Sequence, residues 1–277
     1  MAGKSGKTKE ETLTTGSDAN LAQATQDWGD FGGGQGFDNQ TNQDIAIPFL
    51  GLLQDLSPQV KKKNDEYIEG AEPGMLFNTV TGQLYQQEAF IVPCYTQHLY
   101  VEWVPRENGG GFVGIHELES DVVARAKATA AQFNKLKTDA GNDLVETFYL
   151  YALLLEKVDS TSMDCPVVMA FTSTKIGVYK KLMSQLRMVK GKPPMFGFRL
   201  RVASKDEMNK AKQPYHNFVI TPAVNNNLLE SLNAPGTPFQ NLLEEGKALM
   251  ESIKAGTAKA AHESQSSGGG IGEDEQF

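Results

Sequence analysis

Residues Cys165–Lys205 read CPVVMAFTSTKIGVYKKLMSQLRMVKGKPPMFGFRLRVASK. Pro166 to Ser173 is an apolar run of strand length. Thr172, Ser173 and Thr174 then offer caps for a helix whose Ile176, Tyr179, Leu182, Met183 and Leu186 recur along one face. Gly191 and the Pro193-Pro194 pair end that helix. Phe196 to Val202 alternates as a second strand, with Phe196, Phe198, Leu200 and Val202 on one side and Arg199 and Arg201 beside Gly197 on the other. The helix here joins two strands within a chain otherwise dominated by short strands, and the pattern predicts an α+β, β-weighted fold.

The same 41 residues carry nine cations (Lys175, Lys180, Lys181, Arg187, Lys190, Lys192, Arg199, Arg201 and Lys205) and no Asp or Glu. The whole chain has 26 basic and 34 acidic residues, so outside this island 17 cations face 34 acids. Segregation of this kind speaks about partners rather than fold. A lysine-bearing helix beside a strand with two arginines and a bare glycine suits a phosphate backbone at close range. The plainer alternative is a solvated helix whose lysines keep it soluble.

At 277 residues, with 40% hydrophobic and 22% charged side chains, the chain can bury a substantial core, and one large domain of about 210 residues is expected. Cys94 and Cys165 are too few for a disulfide framework, and no signal peptide is read at the start, which suits a reducing cytosol. The longest apolar run, Phe148 to Leu155, is eight residues, far short of a bilayer span, and implies a soluble protein.

Residues 1–43 lack a sustained apolar period and predict a disordered Gly/Gln/Asn-rich arm, with Trp28, Phe31 and Phe37 around a glycine run. Residues 44–256 form the expected binding domain. Ile45 to Leu53 reads as a buried strand that Pro48 marks as an edge or bulge. Met75 to Val80 and Gln83 to Tyr85 flank a Thr81-Gly82 turn as a hairpin. Glu88 to Tyr95 and His98 to Pro105 are expected as two strands, and Phe112 to His116 as another after the loop Arg106 to Gly111. Asp121 to Leu136 is expected as a helix, Phe148 to Glu156 and Tyr215 to Thr221 as strands, and Asn225 to Leu232 as a short helix. Thr237-Pro238-Phe239-Gln240 starts a last helix, with Phe239, Leu242, Leu243, Leu249, Met250 and Ile253 along one face and Gly256 at its end. From Thr257 to Phe277 the chain is read as a flexible tail closing on Glu273, Asp274, Glu275 and Phe277. Its carboxylates can compete with phosphate for a basic groove, and its terminal aromatic can enter a pocket on another protein.

Catalytic patterns are weak. There is no Walker loop, nucleophile elbow or HExxH helix, and His98, His116, His216 and His262 are scattered. Cys94 and His98 have ligand-like spacing but no second pair, so no metal and no cofactor are expected. The glycine-rich loop beside Tyr100, Trp103 and Arg106 lacks the Lys-Ser/Thr ending of a phosphate loop.

Three stretches together resemble the single-stranded DNA-binding proteins encoded by tailed bacteriophages. They are IAIPFLGLL from Ile45, DEYIEGAEPGMLFNTVTG from Asp65 to Gly82, and the acidic tail ending in Phe277. The resemblance implies an OB-like barrel or a curved antiparallel sheet with added helices. It also implies a mobile acidic C-terminus that recruits replication or recombination proteins, and a place in the cytoplasm of the infected bacterial host. The tip departs from the bacterial pattern, which ends Ile-Pro-Phe. The function expected is non-catalytic, sequence-independent binding and protection of single-stranded DNA. Lys175, Lys180, Lys181, Arg187, Lys190, Lys192, Arg199, Arg201 and Arg106 would track phosphates, and some of Tyr100, Trp103, Tyr149 and Tyr151 would stack on bases. Strand annealing, transcription activation through an RNA polymerase contact made by the tail, and a DNA-contacting virion or scaffold component are the alternatives.

Overall fold

The computed structural model describes residues 46–86, 88–130, 135–209 and 212–262. Its frame is a seven-stranded sheet built on two long antiparallel strands, β5 (Glu88–Trp103) and β8 (Asp143–Leu155). Each is flanked by two shorter strands set end to end. Beside β5 lie β10 (Leu200–Met208) at one end and β6 (Phe112–His116) at the other, and beside β8 lie β9 (Cys165–Phe171) and β7 (Leu136–Lys137). β11 (Pro214–Pro222) pairs with β10 along its whole length. The chain is α+β and strand-weighted, as expected, but among the described residues the sheets stay open and no closed barrel forms.

Two helices cover opposite faces of this sheet. α2 (Lys175–Arg187) brings Tyr179, Leu182 and Leu186 onto Phe148, Leu150, Ala152 and Leu154 of β8. α3 (Gln240–Lys254) lies on the other face, where Leu242 packs with Leu153 and Leu155 and Ile253 with Tyr149 and Tyr151. Side chains alternate along a strand, so covering both faces demands an unbroken apolar run, and that is what Phe148 to Leu155 supplies. α1 (Asp121–Thr129), capped by the Ser120 hydroxyl accepting from Val123 N, packs Val123 and Ala126 against Leu136, Leu144 and Tyr100.

Pro48 divides the first apolar stretch between different partners. β1 (Ala46–Ile47) runs parallel to β12 (Lys259–Ala260), whereas β2 (Leu50–Leu52) pairs with β3 (Leu76–Asn78), which turns into β4 (Leu84–Tyr85) as the expected hairpin. Pro48 has no N–H to donate, and the chain changes ladders at this residue. Asn78 Oδ1 accepts from Val80 N and Thr81 N in the turn that follows β3.

Several expected boundaries differ. Glu88–Trp103 is one bulged strand, because the register slips between Pro93 and Tyr95 instead of ending there. α1 stops at Thr129, well short of Leu136, and Asn225 to Leu232 forms turns in place of a helix, with Asn225 and Asn226 at positive φ. β10 begins at Leu200 because Met195–Gly197 is a 3-10 turn under α3. Gly246 of α3 meets this turn so closely that an added Cβ would sit 2.6 Å from Phe196 Cβ. The chain also stays in the fold past Thr257. β12 pairs there, and His262 is buried with Nε2 2.9 Å from the Tyr149 hydroxyl and its ring stacked on Phe112. The aromatic arm and the acidic cluster Glu273, Asp274, Glu275 with Phe277 lie outside the described residues.

Candidate nucleic-acid interface

The cations of the basic island divide between the two faces of the sheet. Leu200 and Val202 of β10 join the core beneath α2, so alternation sends Arg199 and Arg201 to the α3 face. Arg199 is 5% exposed, donates from Nη1 to Val158 O at 2.6 Å, and lies 3.8 Å from the Phe239 ring centroid. Burial lowers its pKa, and the nearby Asp159 works the other way. Arg201 is held by Glu88 at 3.4 Å and by the Thr221 hydroxyl at 3.2 Å, and Lys205 pairs with Glu207. Glu207 also accepts from Asn217 and Tyr215, and these bonds together bring its carboxyl down to about 2. Arg199 is thereby buried inside the protein, and Arg201 and Lys205 are paired with carboxylates at its surface.

Lys175 is also buried, at the first position of α2. What remains is Lys180, Lys181 and Arg187 on the outer side of α2, with Lys190 and Lys192 on the turn after it, all exposed. Among the described residues none of these five forms a salt bridge with a carboxylate. Lys180 Nζ lies 5.8 Å from the Phe148 ring centroid, which leans its stem on the edge of the core while the charge stays in water. Gly191 (φ 87°) and Lys192 (φ 47°) both take left-handed backbone, so the turn reverses sharply and keeps its two lysines close to the helix end. Between Arg187 and Lys190, Met188 stands 82% exposed. The result is a cationic ridge, about 10 Å along the helix from Lys180 to Arg187 and continued by the turn, with an apolar side chain set into it.

The aromatic residues expected to stack on bases are instead core. Tyr149 (1% exposed) and Tyr151 (3%) lie under α3, with the Tyr151 hydroxyl donating to Gln97 Oε1 at 2.8 Å. Trp103 meets Phe112 edge-on, and Tyr100 packs with α1 beneath Lys127, whose Nζ is 5.0 Å from the ring centroid. None of the four has a ring face free for a base. Arg106 belongs to the turn joining β5 and β6, where Gly109, Gly110 and Gly111 all have positive φ, and is separate from the ridge on α2.

A family model described as Pam3 phage gp34-like protein matches residues 14–259, most of the chain. The chain belongs to this phage family. No curated protein and no solved structure matches it. The match covers nearly all of the described fold, the ridge included, and supplies the phage origin expected from the sequence. Among the described residues no helix is long and apolar enough to cross a membrane.

Two polar features went unnoticed in the sequence because their members are far apart in the chain. Glu102, buried on β5, accepts from Asn142 (2.7 Å) and Thr138 (3.2 Å) and pairs with His116 Nε2 (2.7 Å). Burial works to raise its pKa, and the three bonds overcome that and hold it below the ordinary carboxylate value. The other is a cleft of about 840 Å³ beside Tyr95 to Leu99, where β5 has neither β10 nor β6 as neighbour. Tyr95, Phe112, Tyr151, His262, Glu117 and Glu119 are among the residues that line it.

Proposed function

We propose that this phage protein is a non-catalytic binder of single-stranded nucleic acid, with the phosphate backbone tracking the outer side of α2 and the turn after it. The observation that carries the reading is the group Lys180, Lys181, Arg187, Lys190 and Lys192: five exposed cations on one helix and its exit turn, unpaired among the described residues, in a chain of net charge −8. A protein that is acidic overall repels a polyanion except where such a patch meets it, which favours one defined docking path. Met188 gives the ridge an apolar surface for an unstacked base, something a duplex does not present.

The reading keeps the five basic positions of the ridge as the working site with Lys175 beneath it in a supporting role, and gives Arg199 and Arg201 structural roles. The acidic end of the chain, Glu273 to Phe277, is assigned either competition with DNA for the ridge or recruitment of a replication or recombination partner. Binding of labelled oligo-dT and of a duplex of equal length, followed by fluorescence anisotropy at one salt concentration, tests it. Preference for oligo-dT, lost on Lys180→Ala/Lys181→Ala/Arg187→Ala, is expected. Equal affinity for the two oligonucleotides would count against single-strand binding.

A further inference from the structure

We infer that the cleft beside Tyr95 to Leu99 is a pocket for one unpaired nucleobase bearing an exocyclic amino group, filled from the strand that the ridge holds. The inference rests on the reading of the ridge and adds a second point of contact to it. The two places are connected. Lys180 Nζ lies 5.8 Å from the Phe148 ring centroid, the His98 ring stacks on the same phenyl ring at 3.9 Å, and His98 lines the cleft. Two stacked rings therefore separate the first cation of the ridge from the cleft wall. The His98 side chain is 34% exposed, and Glu146 holds its Nε2 at 2.8 Å, which fixes the ring on that route. At about 840 Å³ the cleft is of the size that takes a small organic group, here a base with its sugar. Only an unpaired base can leave its stack to enter such a recess.

The lining suits the edge of a base. The Tyr151 hydroxyl donates to Gln97 Oε1 at 2.8 Å, which orients the amide and leaves its N–H groups to donate to a base carbonyl. Beside Gln97, β5 between Ile91 and Tyr100 has no strand neighbour except β8, and the edge of a strand presents both N–H and C=O groups. Base edges carry donors and acceptors of the same kinds. Tyr95 and Phe112 supply flat walls, the Phe112 ring being held on His262 at 4.4 Å. The charges select the base. Glu117 and Glu119 are exposed lining residues, and among the described residues neither is in a salt bridge. A carboxylate accepts from an amino group and repels a carbonyl oxygen, so cytosine with its N4 amino group is favoured where thymine presents O4. Lys259 in the lining and Lys254, 5.7 Å from the Tyr95 ring centroid, supply cations for the phosphate of the seated nucleotide.

Labelled oligo-dC and oligo-dT of equal length, compared by fluorescence anisotropy near neutral pH at one salt concentration, provide the test. The full chain is expected to bind oligo-dC about fivefold more tightly, the lower end of what one good base contact gives. Glu117→Gln/Glu119→Gln keeps the shape of the lining but adds amide donors that thymine O4 accepts, and is expected to remove the preference. Ile115→Trp enlarges a lining residue that is 45% exposed, and is expected to bring oligo-dC down to the affinity of oligo-dT with circular dichroism unchanged. Lys180→Ala/Lys181→Ala/Arg187→Ala is expected to weaken both oligonucleotides and leave their ratio in place. Equal affinity of the wild type for the two, or a preference that survives either cleft variant, would overturn the pocket and leave the ridge standing. Binding of both oligonucleotides unchanged in the ridge variant would overturn the ridge reading, and the pocket with it.

Discussion

The buried histidine at the end of the described chain makes the fold's acid sensitivity predictable. His262 is 8% exposed, packed against Phe49, Phe112 and Tyr149, and burial pulls its pKa down from 6.5 to about 4. Below pH 6.5 the unfolded chain takes up a proton at this residue that the folded chain refuses until about pH 4. Stability from this site is therefore complete above pH 6.5 and is lost progressively as pH falls towards 4. At ~1.4 kcal/mol per pH unit per proton, the loss over that window is about 3 kcal/mol. The assay is urea unfolding at several pH values between 4.5 and 7 for the wild type and for His262→Gln, which keeps a polar side chain near Tyr149 but does not titrate. Other titrating groups act in both proteins, so the difference in slope isolates His262. The wild type is expected to lose about 1 kcal/mol more per pH unit than the variant. Parallel stability curves would refute the reasoning, and with it the placement of residues after Thr257 in the core.

Four shorter expectations follow from the packing and the chemistry. Gly246→Ala puts a Cβ 2.6 Å from Phe196 Cβ and 3.4 Å from Cys94 Sγ, and overpacking there is expected to cost about 1–3 kcal/mol, read as a lowered thermal midpoint. Burial pushes the Cys94 thiol up to about 12 and the Cys165 thiol up to about 11, so neither is expected to react with a thiol reagent at pH 8 until the chain is unfolded. Arg199→Ala removes a buried stack on Phe239 and the bond to Val158, and is expected to lower stability by about 2 kcal/mol in denaturant unfolding while leaving the salt dependence of DNA binding unchanged. Deleting Gly268 to Phe277 is expected to tighten oligo-dT binding in anisotropy if the acids compete for the ridge, and to abolish partner capture if they recruit.

How far the sequence could be read depended on which contacts were local. The α2 helix, its apolar face and its proline stop were visible because 3.6-residue spacing and a Gly-then-Pro ending are local signals. The hairpin at Thr81-Gly82 was visible for the same reason. The sidedness of the basic island was not. The lysines on α2 and Arg199 and Arg201 are neighbours in sequence, yet the strand's alternation and the placement of α3 send them to opposite faces. Phe239, which covers Arg199, is 40 residues further along the chain. The aromatic residues of β5 and β8 misled in the same way. Tyr149 and Tyr151 alternate with nothing polar, and such a run signals a strand covered on both faces rather than a stacking platform. The β12 pairing and the His262 plug were missed because a two-residue strand in a polar stretch has no period to detect.

The central claim is that a polyanion is held by the cations of α2 and its exit turn, and not by Arg199 and Arg201. It is tested most directly by the slope of log K against log salt for oligo-dT, measured for the wild type, for Lys180→Ala/Lys181→Ala/Arg187→Ala, and for Arg201→Ala. Each phosphate contact on a single strand contributes about 0.7 to that slope, so the triple variant is expected to lose about 2 and Arg201→Ala close to nothing. A triple variant with the wild-type slope, or an Arg201→Ala variant that loses most of it, would contradict the account.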